Sequence, residues 1–312
     1  MKLKTVRYFL LGISFLFSLS TNATPFSFVA LGDQPYGPPE TLETLIQTIN
    51  QDKDHLFLIH VGDIKSGGAR CDDSYYLKIK DIFNLSKKPL IYTPGDNEWT
   101  DCHRKNNGGY EPLERLNKLR EVFFSDNKSL GQQKLILQKQ SNTMQNYAAF
   151  VENNRWTTHE VMFITINQPG SNNNRDSKVP GAIDEYTARN EANMAWLKSS
   201  FKAAKNKKAI VVAMQSDTTI VTEEVFGFDD FLKTIKELAV AYKKPVLIIQ
   251  GDTHQFLVDR IIQNEDGKPI ANVLRMIVPG DKSLEAVKVE VDTKQNDILK
   301  VFHFTRIPKT NF

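Results

Sequence analysis

The segment LFLIHVGD at residues 56–63 decides how this chain folds, because it joins an apolar run to a Gly-Asp pair. The same arrangement occurs three more times, as FSFVALGD at residues 26–33, LIYTPGD at 90–96 and VLIIQGD at 246–252. A continuous apolar run bounded by turn residues is typical of a buried strand in a sheet that is covered on both faces. The sequence therefore predicts an α/β fold in which four buried strands each end in Gly-Asp.

The four aspartates that end these strands are Asp33, Asp63, Asp96 and Asp252. Open α/β sheets bind their ligands outside the carboxyl ends of the strands, which is where these side chains fall. If the strand ends are adjacent, the carboxylates repel one another and some stay protonated unless a cation is present. One Gly-Asp pair is ordinary turn chemistry, and a fifth pair at residues 280–281 could be only that. Four pairs after buried strands predict a metal or catalytic centre.

The first 23 residues have the pattern of a secretory signal peptide. Three basic residues within the first seven precede an apolar run at residues 8–19, and small residues lead to Ala23. We expect cleavage after Ala23 and a secreted or periplasmic protein. The alternative is a membrane anchor, but the apolar run is short for a span of about 20 residues. No later segment is apolar enough for stable membrane insertion.

Residues 24–312 are expected to form a single domain, because the chain shows no repeat, linker or break in composition. The formal charge of +3 falls to zero when the three basic residues of the leader are removed. A neutral protein has no electrostatic signature for binding nucleic acid or an anionic membrane. The sequence carries no signal for an oligomeric state.

The chain has two cysteines, Cys71 and Cys102, and each follows a Gly-Asp strand end by a few residues. In an exported protein, a single pair is most simply a disulfide, which here would join two loops beside the predicted site. The alternatives are two free thiols or a pair that binds a soft metal. Neither cysteine has the additional Cys and His residues that a structural zinc site requires.

Strands and helices alternate along the first part of the chain, and several closely spaced strands follow. Predicted strands include residues 146–151 and 157–167, a long helix is predicted at 184–205, and the final strand at 298–304. Residues 125–145 are polar and are expected to form a surface excursion. This order differs from a simple Rossmann sheet and indicates two stacked sheets with helices outside.

The order of the motifs resembles the calcineurin-like metallophosphoesterases. That family carries Asp-x-His, Gly-Asp, Gly-Asn-His-Glu/Asp, a lone His after a strand, and Gly-His-x-His. The corresponding residues here are Asp33-Gln34-Pro35, Gly62-Asp63, Gly95-Asp96-Asn97-Glu98, Gln215 and Gly251-Asp252-Thr253-His254. The resemblance spans residues 26 to 256 and implies a four-layer α-β-β-α sandwich with two stacked mixed sheets.

The resemblance also implies one or two divalent metal ions. One ion would be held by Asp33, Asp63 and His254, with the fourth family ligand missing because Pro35 replaces a His. The second ion would be bound through oxygen atoms only, and Asp63 would bridge the two ions. Its ligands would be Asp63, Asp96, Gln215 and Asp252. Because imidazole ligands have been exchanged for oxygen ligands, Mg²⁺, Mn²⁺ or Ca²⁺ is favoured over Zn²⁺.

The activity that the resemblance implies is hydrolysis of a small phosphomonoester or phosphodiester through metal-activated water. The catalytic His of the family is Asn97 here, which can donate a hydrogen bond but cannot release a proton. We predict that His103 supplies an acid from the same loop and that Arg104 clamps the phosphate. The alternative for His103 is an exposed loop histidine. His60 is predicted to support the site rather than to bind the metal.

Two other functions remain open. The replacement of family histidines by Pro35 and Asn97 fits a non-catalytic protein that binds a metal and a phosphorylated ligand on the same fold. A metal hydrolase of amides or lactones is the weaker alternative, because the ordered motifs match phosphoesterases.

Overall fold

The strands of this protein form two stacked mixed sheets, as the sequence predicts. The structure, a computed structural model, describes residues 24–220, 226–281, 283–295 and 297–308. In chain order its strands are β1 (Phe26–Leu31), β2 (His55–His60), β3 (Leu90–Tyr92), β4 (Gln138–Lys139), β5 (Asn154–Thr158), β6 (Val161–Thr165), β7 (Ala209–Ala213), β8 (Val246–Gln250), β9 (Leu257–Asp259), β10 (Val273–Ile277), β11 (Ala286–Val291) and β12 (Phe302–Ile307). The first sheet has the order β12-β11-β1-β2-β3, and the second has the order β4-β5-β6-β7-β8-β10-β9.

Five helices of the described chain cover the outer faces of the sheets: α1 (Pro39–Ile49), α2 (Asp73–Phe83), α3 (Pro112–Phe123), α6 (Ala182–Ala203) and α7 (Asp229–Tyr242). Three short segments are α4 (Gln140–Thr143), α5 (Gly170–Asn173) and α8 (Ile298–Val301), of which α8 contributes to the core between the sheets. Buried residues of α1, α2 and α3 pack on the first sheet, and those of α6 and α7 pack on the second. A third apolar core lies between the sheets. The predicted four-layer α-β-β-α sandwich is confirmed.

Strand β1 shows why its apolar run is continuous. Phe28 and Ala30 belong to the core between the sheets, whereas Val29 and Leu31 belong to the core under the helices. Successive side chains of a strand point to opposite faces, so a strand that is buried on both faces needs apolar residues at every position. Strands β1, β2 and β3 are parallel neighbours, and their carboxyl ends therefore meet at one edge of the sheet.

Two strand predictions in the middle of the chain are wrong. Residues 146–151 form turns around a short 3₁₀ helix at Gln145–Tyr147, and strand β5 begins later, at Asn154. The predicted strand at 157–167 is divided by His159 and Glu160, which both have positive φ and connect β5 to β6 as a hairpin. A two-residue turn with φ above zero at both positions matches the twist of an antiparallel pair. The sequence lacks the Asn-Gly or Asp-Gly pair that usually marks this turn.

Two other regions differ from expectation in detail. The polar excursion at 125–145 contains β4, which pairs with β5 at the edge of the second sheet. The predicted final strand begins instead with the helical turn α8, and β12 starts at Phe302. Asp297 accepts a hydrogen bond from the backbone nitrogen of Leu299, which caps that turn. The predicted leader, residues 1–23, lies outside the described residues. Within the described ranges, none of the helices has the length and apolar character needed to span a bilayer.

The structure contains the predicted disulfide between Cys71 and Cys102, whose Cα atoms are 5.9 Å apart. Both residues are fully buried beside the loop that follows β3. The bond closes a loop with a sequence separation of 31 residues. It thus connects the loops that follow β2 and β3, which carry Asp63 and Asp96.

Removal of this disulfide should destabilise the protein. In the chain-entropy model, a loop of this length gives about 3–4 kcal/mol of stabilisation to the oxidised protein. We expect Cys71→Ser, Cys102→Ser and the double variant to lose similar amounts, because each breaks the same bond. Urea unfolding of the three variants and the oxidised protein measures this loss. Equal unfolding midpoints for oxidised protein and double variant would contradict a stabilising role.

Candidate metal centre

The four Gly-Asp strand ends meet at a cleft between the two sheets. Strands β1, β2 and β3 of the first sheet bring Asp33, Asp63 and Asp96 to one edge, and β8 of the second sheet brings Asp252. The backbone nitrogen of Asp252 donates a hydrogen bond to Asp33 Oδ1 over 2.9 Å, which connects the sheets directly. The acidic side chains of separate segments are therefore adjacent, as the repeated motif predicts.

The backbone at this cleft holds an uncommon conformation. Asp33, Asp63, Asp252 and His254 all have positive φ, at 53°, 55°, 73° and 62°. Residues other than Gly adopt this left-handed region at a cost of order 1–3 kcal/mol, and such residues cluster at functional sites. All four residues that hold this conformation belong to the predicted ligand set.

The glycines of the motifs make room for carboxylates from other motifs. A Cβ on Gly251 would lie 2.3 Å from Asp33 Oδ2, and a Cβ on Gly95 would lie 2.1 Å from Asp63 Oδ1. The fifth pair also contributes, because a Cβ on Gly280 would lie 2.3 Å from the Cβ of Asp33. Neither Gly95 nor Gly251 has positive φ. Close approach, rather than a backbone turn with positive φ, therefore explains these two glycines.

Three of the predicted ligands form a compact cluster. One ligand atom from each of Asp33, Asp63 and His254 lies within 4.8 Å of the others. Asp33 is fully buried, and its Oδ2 has no hydrogen-bond partner among the described residues. A buried carboxylate oxygen without a donor is costly unless a cation compensates it. The donor set of two carboxylates and an imidazole fits a divalent metal ion.

The predicted ligands of the second position lie beside this cluster. Gly170 lies between Asp252 and Asp96: a Cβ there would be 3.0 Å from both carboxyl oxygens of Asp252 and 3.1 Å from Asp96 Cγ. Asp96 Oδ1 is also buried and without a partner in the described chain. The amide oxygen of Gln215 accepts a hydrogen bond from the Gly170 nitrogen. Gln215 therefore faces the site, and its coordination of a metal stays a prediction.

Two residues hold the ligand loops in place. Glu98 Oε1 accepts hydrogen bonds from the backbone nitrogens of Asp63 and Gly95, at 3.1 and 2.7 Å. His60 is fully buried; its Nδ1 accepts from the Gly62 nitrogen at 3.2 Å, and its Nε2 lies 3.1 Å from the Gln34 carbonyl oxygen. These contacts agree with a supporting role for His60. Glu98 belongs to the segment Gly95-Asp96-Asn97-Glu98, whose pattern alone does not indicate that Glu98 holds the loops.

Asn97, the predicted replacement for the catalytic His, points at the predicted bridging ligand. Its Nδ2 donates to Asp63 Oδ2 at 2.5 Å and to the hydroxyl of Tyr36 at 2.8 Å. The buried Lys65 donates to the Asn97 carbonyl oxygen at 2.6 Å and fixes the loop. The amide of Asn97 therefore orients Asp63. The motif pattern does not indicate that Tyr36 lies within the ligand cluster.

A cavity of about 370 Å³ opens above these residues. Arg104 lines it, and Arg104 Nη1 forms an ion pair of 2.6 Å with Asp101 Oδ2. His103 is exposed and is not among the lining residues of this cavity in the described chain; its Nδ1 lies 2.7 Å from the Thr100 carbonyl oxygen. The structure thus brings Arg104 to the cavity and leaves the catalytic role of His103 a prediction.

A left-handed turn forms another wall of the cavity. Residues 171–174 have four consecutive positive φ angles, although left-handed backbone normally occurs at single positions. Buried Arg189 holds this turn, since its Nη2 donates to the Asn173 carbonyl oxygen at 2.9 Å. The Ser171 hydroxyl lies 2.7 Å from Asp96 Oδ2 and 3.0 Å from Asp101 Oδ1. The sequence of this turn, Ser171 followed by three Asn residues, is typical of a loop.

The crowded carboxyl groups favour their protonated forms. Burial, followed by the negative charge of neighbouring carboxylates, raises the pKa of Asp63 well above its usual range. Burial also raises the pKa of Asp33, which neighbouring Asp252 and Asp96 raise further. The pKa of Asp252 and that of Asp101 rise to about 7, chiefly because of burial and then because of Asp96. A bound cation reverses this repulsion.

The stability of the metal-free protein should therefore fall as the pH rises. Between about pH 4 and pH 7 the folded protein retains protons on Asp252 and Asp101 that the unfolded chain has released. Each such group lowers the free energy of unfolding by up to about 1.4 kcal/mol per pH unit in that window. Three histidines oppose this change, because burial lowers the pKa of His60 to about 4 and also lowers the pKa of His55 and of His254. The carboxyl groups with raised pKa values outnumber them: Asp33, Asp63, Glu98, Asp101 and Asp252.

Thermal unfolding at pH 5 and pH 7 with a chelator measures the effect. With the chelator, we expect a lower melting temperature at pH 7 than at pH 5. With saturating Mn²⁺, we expect a higher melting temperature at pH 7 than at pH 5. Asp252→Asn removes one titrating group and should flatten the profile recorded with chelator. A melting temperature that rises with pH in chelator would contradict the predicted repulsion.

Comparison with known proteins agrees with this geometry. The family model described as calcineurin-like phosphoesterase matches residues 26–256. This chain belongs to the calcineurin-like phosphoesterase family. Membership supports metal-dependent phosphoesterase chemistry and divalent ions as the cofactor. The comparison with curated proteins finds no match.

Solved structures with the same fold are distant in sequence. A dimetal phosphatase of Danio rerio is 9% identical with a TM-score of 0.55, over 92% of this chain and 100% of that one. Purple acid phosphatase PPD1 from yellow lupin is 13% identical with a TM-score of 0.50, over 91% of this chain and 54% of that one. GAP50, described as the anchor in the inner membrane complex of Plasmodium, is 13% identical with a TM-score of 0.50, over 92% and 90%. At such identities the likeness shows the fold alone.

Proposed function

We propose that this protein is an exported phosphoesterase that hydrolyses a small phosphomonoester or phosphodiester with one or two divalent metal ions. The observation that carries this proposal is the convergence of Asp33, Asp63 and His254 beneath an open cavity, with Asp33 Oδ2 buried and unpaired within the described residues. Family membership supports the reaction class. Oxygen-rich ligands favour Mg²⁺, Mn²⁺ or Ca²⁺ over Zn²⁺.

The bound ion and several residues of the chain would have separate roles in the reaction. A divalent ion, when bound, supplies positive charge for the phosphate oxygens and lowers the pKa of water. Arg104 extends from the cavity wall and offers a planar guanidinium that binds phosphate oxygens in a bidentate manner. Asp101 holds Arg104 by an ion pair. Asn97 keeps Asp63 oriented toward the ligand cluster.

The missing acid suggests which esters react fastest. Asn97 cannot protonate a leaving group, so esters with a good leaving group, such as aryl phosphates, should be the best substrates. Hydrolysis of p-nitrophenyl phosphate and of bis-p-nitrophenyl phosphate, each with Mn²⁺, Mg²⁺ or Ca²⁺, tests the proposal. We expect multiple turnovers that a chelator abolishes, and the ratio of the two rates separates phosphomonoesterase from phosphodiesterase activity.

A non-catalytic binding protein is the second candidate. The observation that favours it is that the Asn97 amide is already engaged with Asp63 and Tyr36, so no proton donor replaces the family His at this position. The fold also occurs in GAP50, which is described as an anchor. This candidate predicts a higher melting temperature with Ca²⁺ or inorganic phosphate but no turnover of either aryl ester.

Export is part of the proposal. The predicted cleavage after Ala23 lies outside the described residues, and the support comes from the leader pattern together with the disulfide. N-terminal sequencing of protein taken from the periplasm or the medium should begin at Thr24. Recovery of the protein only with its leader intact would contradict cleavage.

A further inference from the structure

We propose that the phenol oxygen of Tyr36 is the fourth ligand of the metal position formed by Asp33, Asp63 and His254. The inference rests on the proposed metal-dependent function and concerns how this chain completes that site. Pro35, which stands where the family has a ligand His, offers no donor atom. The next residue, Tyr36, reaches into the cluster from the same loop.

Distances between the donor atoms support coordination by Tyr36. Its hydroxyl lies 2.5 Å from Asp63 Oδ2 and 3.2 Å from His254 Nε2, and His254 Nε2 lies 3.8 Å from Asp33 Oδ1. Metal bonds of about 2.0–2.2 Å place neighbouring ligand atoms about 3.0–3.5 Å apart in octahedral or tetrahedral sites. The phenol oxygen is therefore spaced from His254 Nε2 as a neighbouring ligand would be. Its shorter contact with Asp63 Oδ2 is a hydrogen bond, which has to lengthen when an ion replaces the shared proton.

The ring of Tyr36 is held in this position. It packs edge-to-face against the His254 imidazole, with ring centroids 4.9 Å apart. Asn97 Nδ2 donates to the phenol oxygen at 2.8 Å, so the phenol proton is directed to Asp63 Oδ2. When an ion binds, that proton leaves to the solvent, and both oxygens face the cation.

A second observation points to a cation at the same place. Asp33 Oδ2 is buried and has no hydrogen-bond partner among the described residues. Two carboxylates, an imidazole and a phenol oxygen thus surround one point, and three of the four donors carry oxygen. Such a set suits Mn²⁺, Mg²⁺ or Ca²⁺ better than a soft metal.

The test is a titration of the metal-free protein with Mn²⁺. Calorimetry gives the affinity, and the ultraviolet spectrum reports any tyrosine whose oxygen binds the ion. Tyr36→Phe removes only the oxygen and keeps the ring that packs on His254. Tyr36→His places an imidazole in the same loop. Tyr242→Phe is the matched control, because its hydroxyl contacts the Lys207 carbonyl oxygen just before β7, at the end of the sheet opposite the site.

We expect a tyrosine absorption change that saturates with Mn²⁺ in the wild type and in Tyr242→Phe, and no such change in Tyr36→Phe. The dissociation constant of Tyr36→Phe should rise by at least about tenfold. Tyr36→His should bind more tightly than Tyr36→Phe, also without the absorption change. If Tyr36→Phe does not fold, Tyr36→His takes its place in the test, and Mn²⁺ binding by Tyr36→His without a tyrosine absorption change is the expected result.

Two results would overturn the inference while leaving the proposed function intact. One is a Tyr36→Phe variant whose Mn²⁺ affinity and tyrosine absorption change are both the same as in the wild type. The other is Mn²⁺ binding by the wild type without any tyrosine absorption change, which would mean that Tyr36 only orients Asp63. A wild-type protein that binds no Mn²⁺ would contradict this inference and the proposed function together.

Discussion

Asp63→Asn should remove metal binding and phosphoesterase activity almost completely while the fold survives. Asp63 lies within the ligand cluster, and its two oxygens accept from the backbone and side-chain nitrogens of Asn97. As the predicted bridging ligand it serves both metal positions. We expect a loss of activity larger than the roughly 100-fold that follows loss of a group that only supports a ligand.

The metal-free variant should be at least as stable as the wild type. Burial and neighbouring carboxylates raise the pKa of Asp63, so the negative charge is unfavourable without a cation. The amide of Asn has nearly the same shape and no charge. Initial rates on p-nitrophenyl phosphate and melting temperatures in chelator measure the two effects, with Asp266→Asn on an exposed turn as the control. Retained activity in Asp63→Asn would rule out its bridging role.

Gly251→Ala should impair the site through a steric effect on Asp33. The added Cβ would lie 2.3 Å from Asp33 Oδ2 and 3.1 Å from Asp33 Cγ, closer than non-bonded atoms tolerate. Asp33 is fully buried and is held by the Asp252 nitrogen, so it has little room to move. We expect a stability loss of about 1–3 kcal/mol and a clear fall in metal affinity, measured by urea unfolding and by calorimetry with Mn²⁺.

Gly37→Ala is the matched control for this variant. It lies on the loop that carries Tyr36, and no described atom outside its immediate chain neighbours lies within 4 Å of the position that the new Cβ would take. Its stability should change by less than about 0.5 kcal/mol, with no change in metal affinity. Equal behaviour of the two glycine variants would show that Asp33 does not need the space above Gly251.

Much of the fold could be predicted from the sequence because the motif strands are buried on both faces. Their apolar runs are continuous, and the Gly-Asp pairs mark where they end. The predictions for regions with a weak hydrophobic pattern were wrong for physical reasons. Strand β5 starts with Asn154 and Arg155, whose polar side chains are nevertheless buried, and the hairpin turn at His159 and Glu160 has positive φ without the Gly that usually marks such a turn.

The candidate site could also be predicted only in part. Its acidic ligands could be predicted, because strand order and the family resemblance both place them at one edge. The groups around them could not, because their roles depend on contacts between distant segments. Tyr36 reaches Asp63 across 27 residues, and Ser171 reaches Asp96 across 75. Sequence patterns do not encode such contacts, although Tyr36 follows the ligand Asp33 by only three residues and is therefore close to the site along the chain.

The central claim is that acidic strand ends from two sheets form a divalent metal site. The most direct test is the amount of Mn²⁺ that stays with the purified wild-type protein after gel filtration, together with its melting temperature. The claim predicts one or two ions per chain and a stabilisation of about 2.7 kcal/mol when free Mn²⁺ is 100 times the dissociation constant. No retained ion and an unchanged melting temperature across all Mn²⁺ concentrations would contradict it.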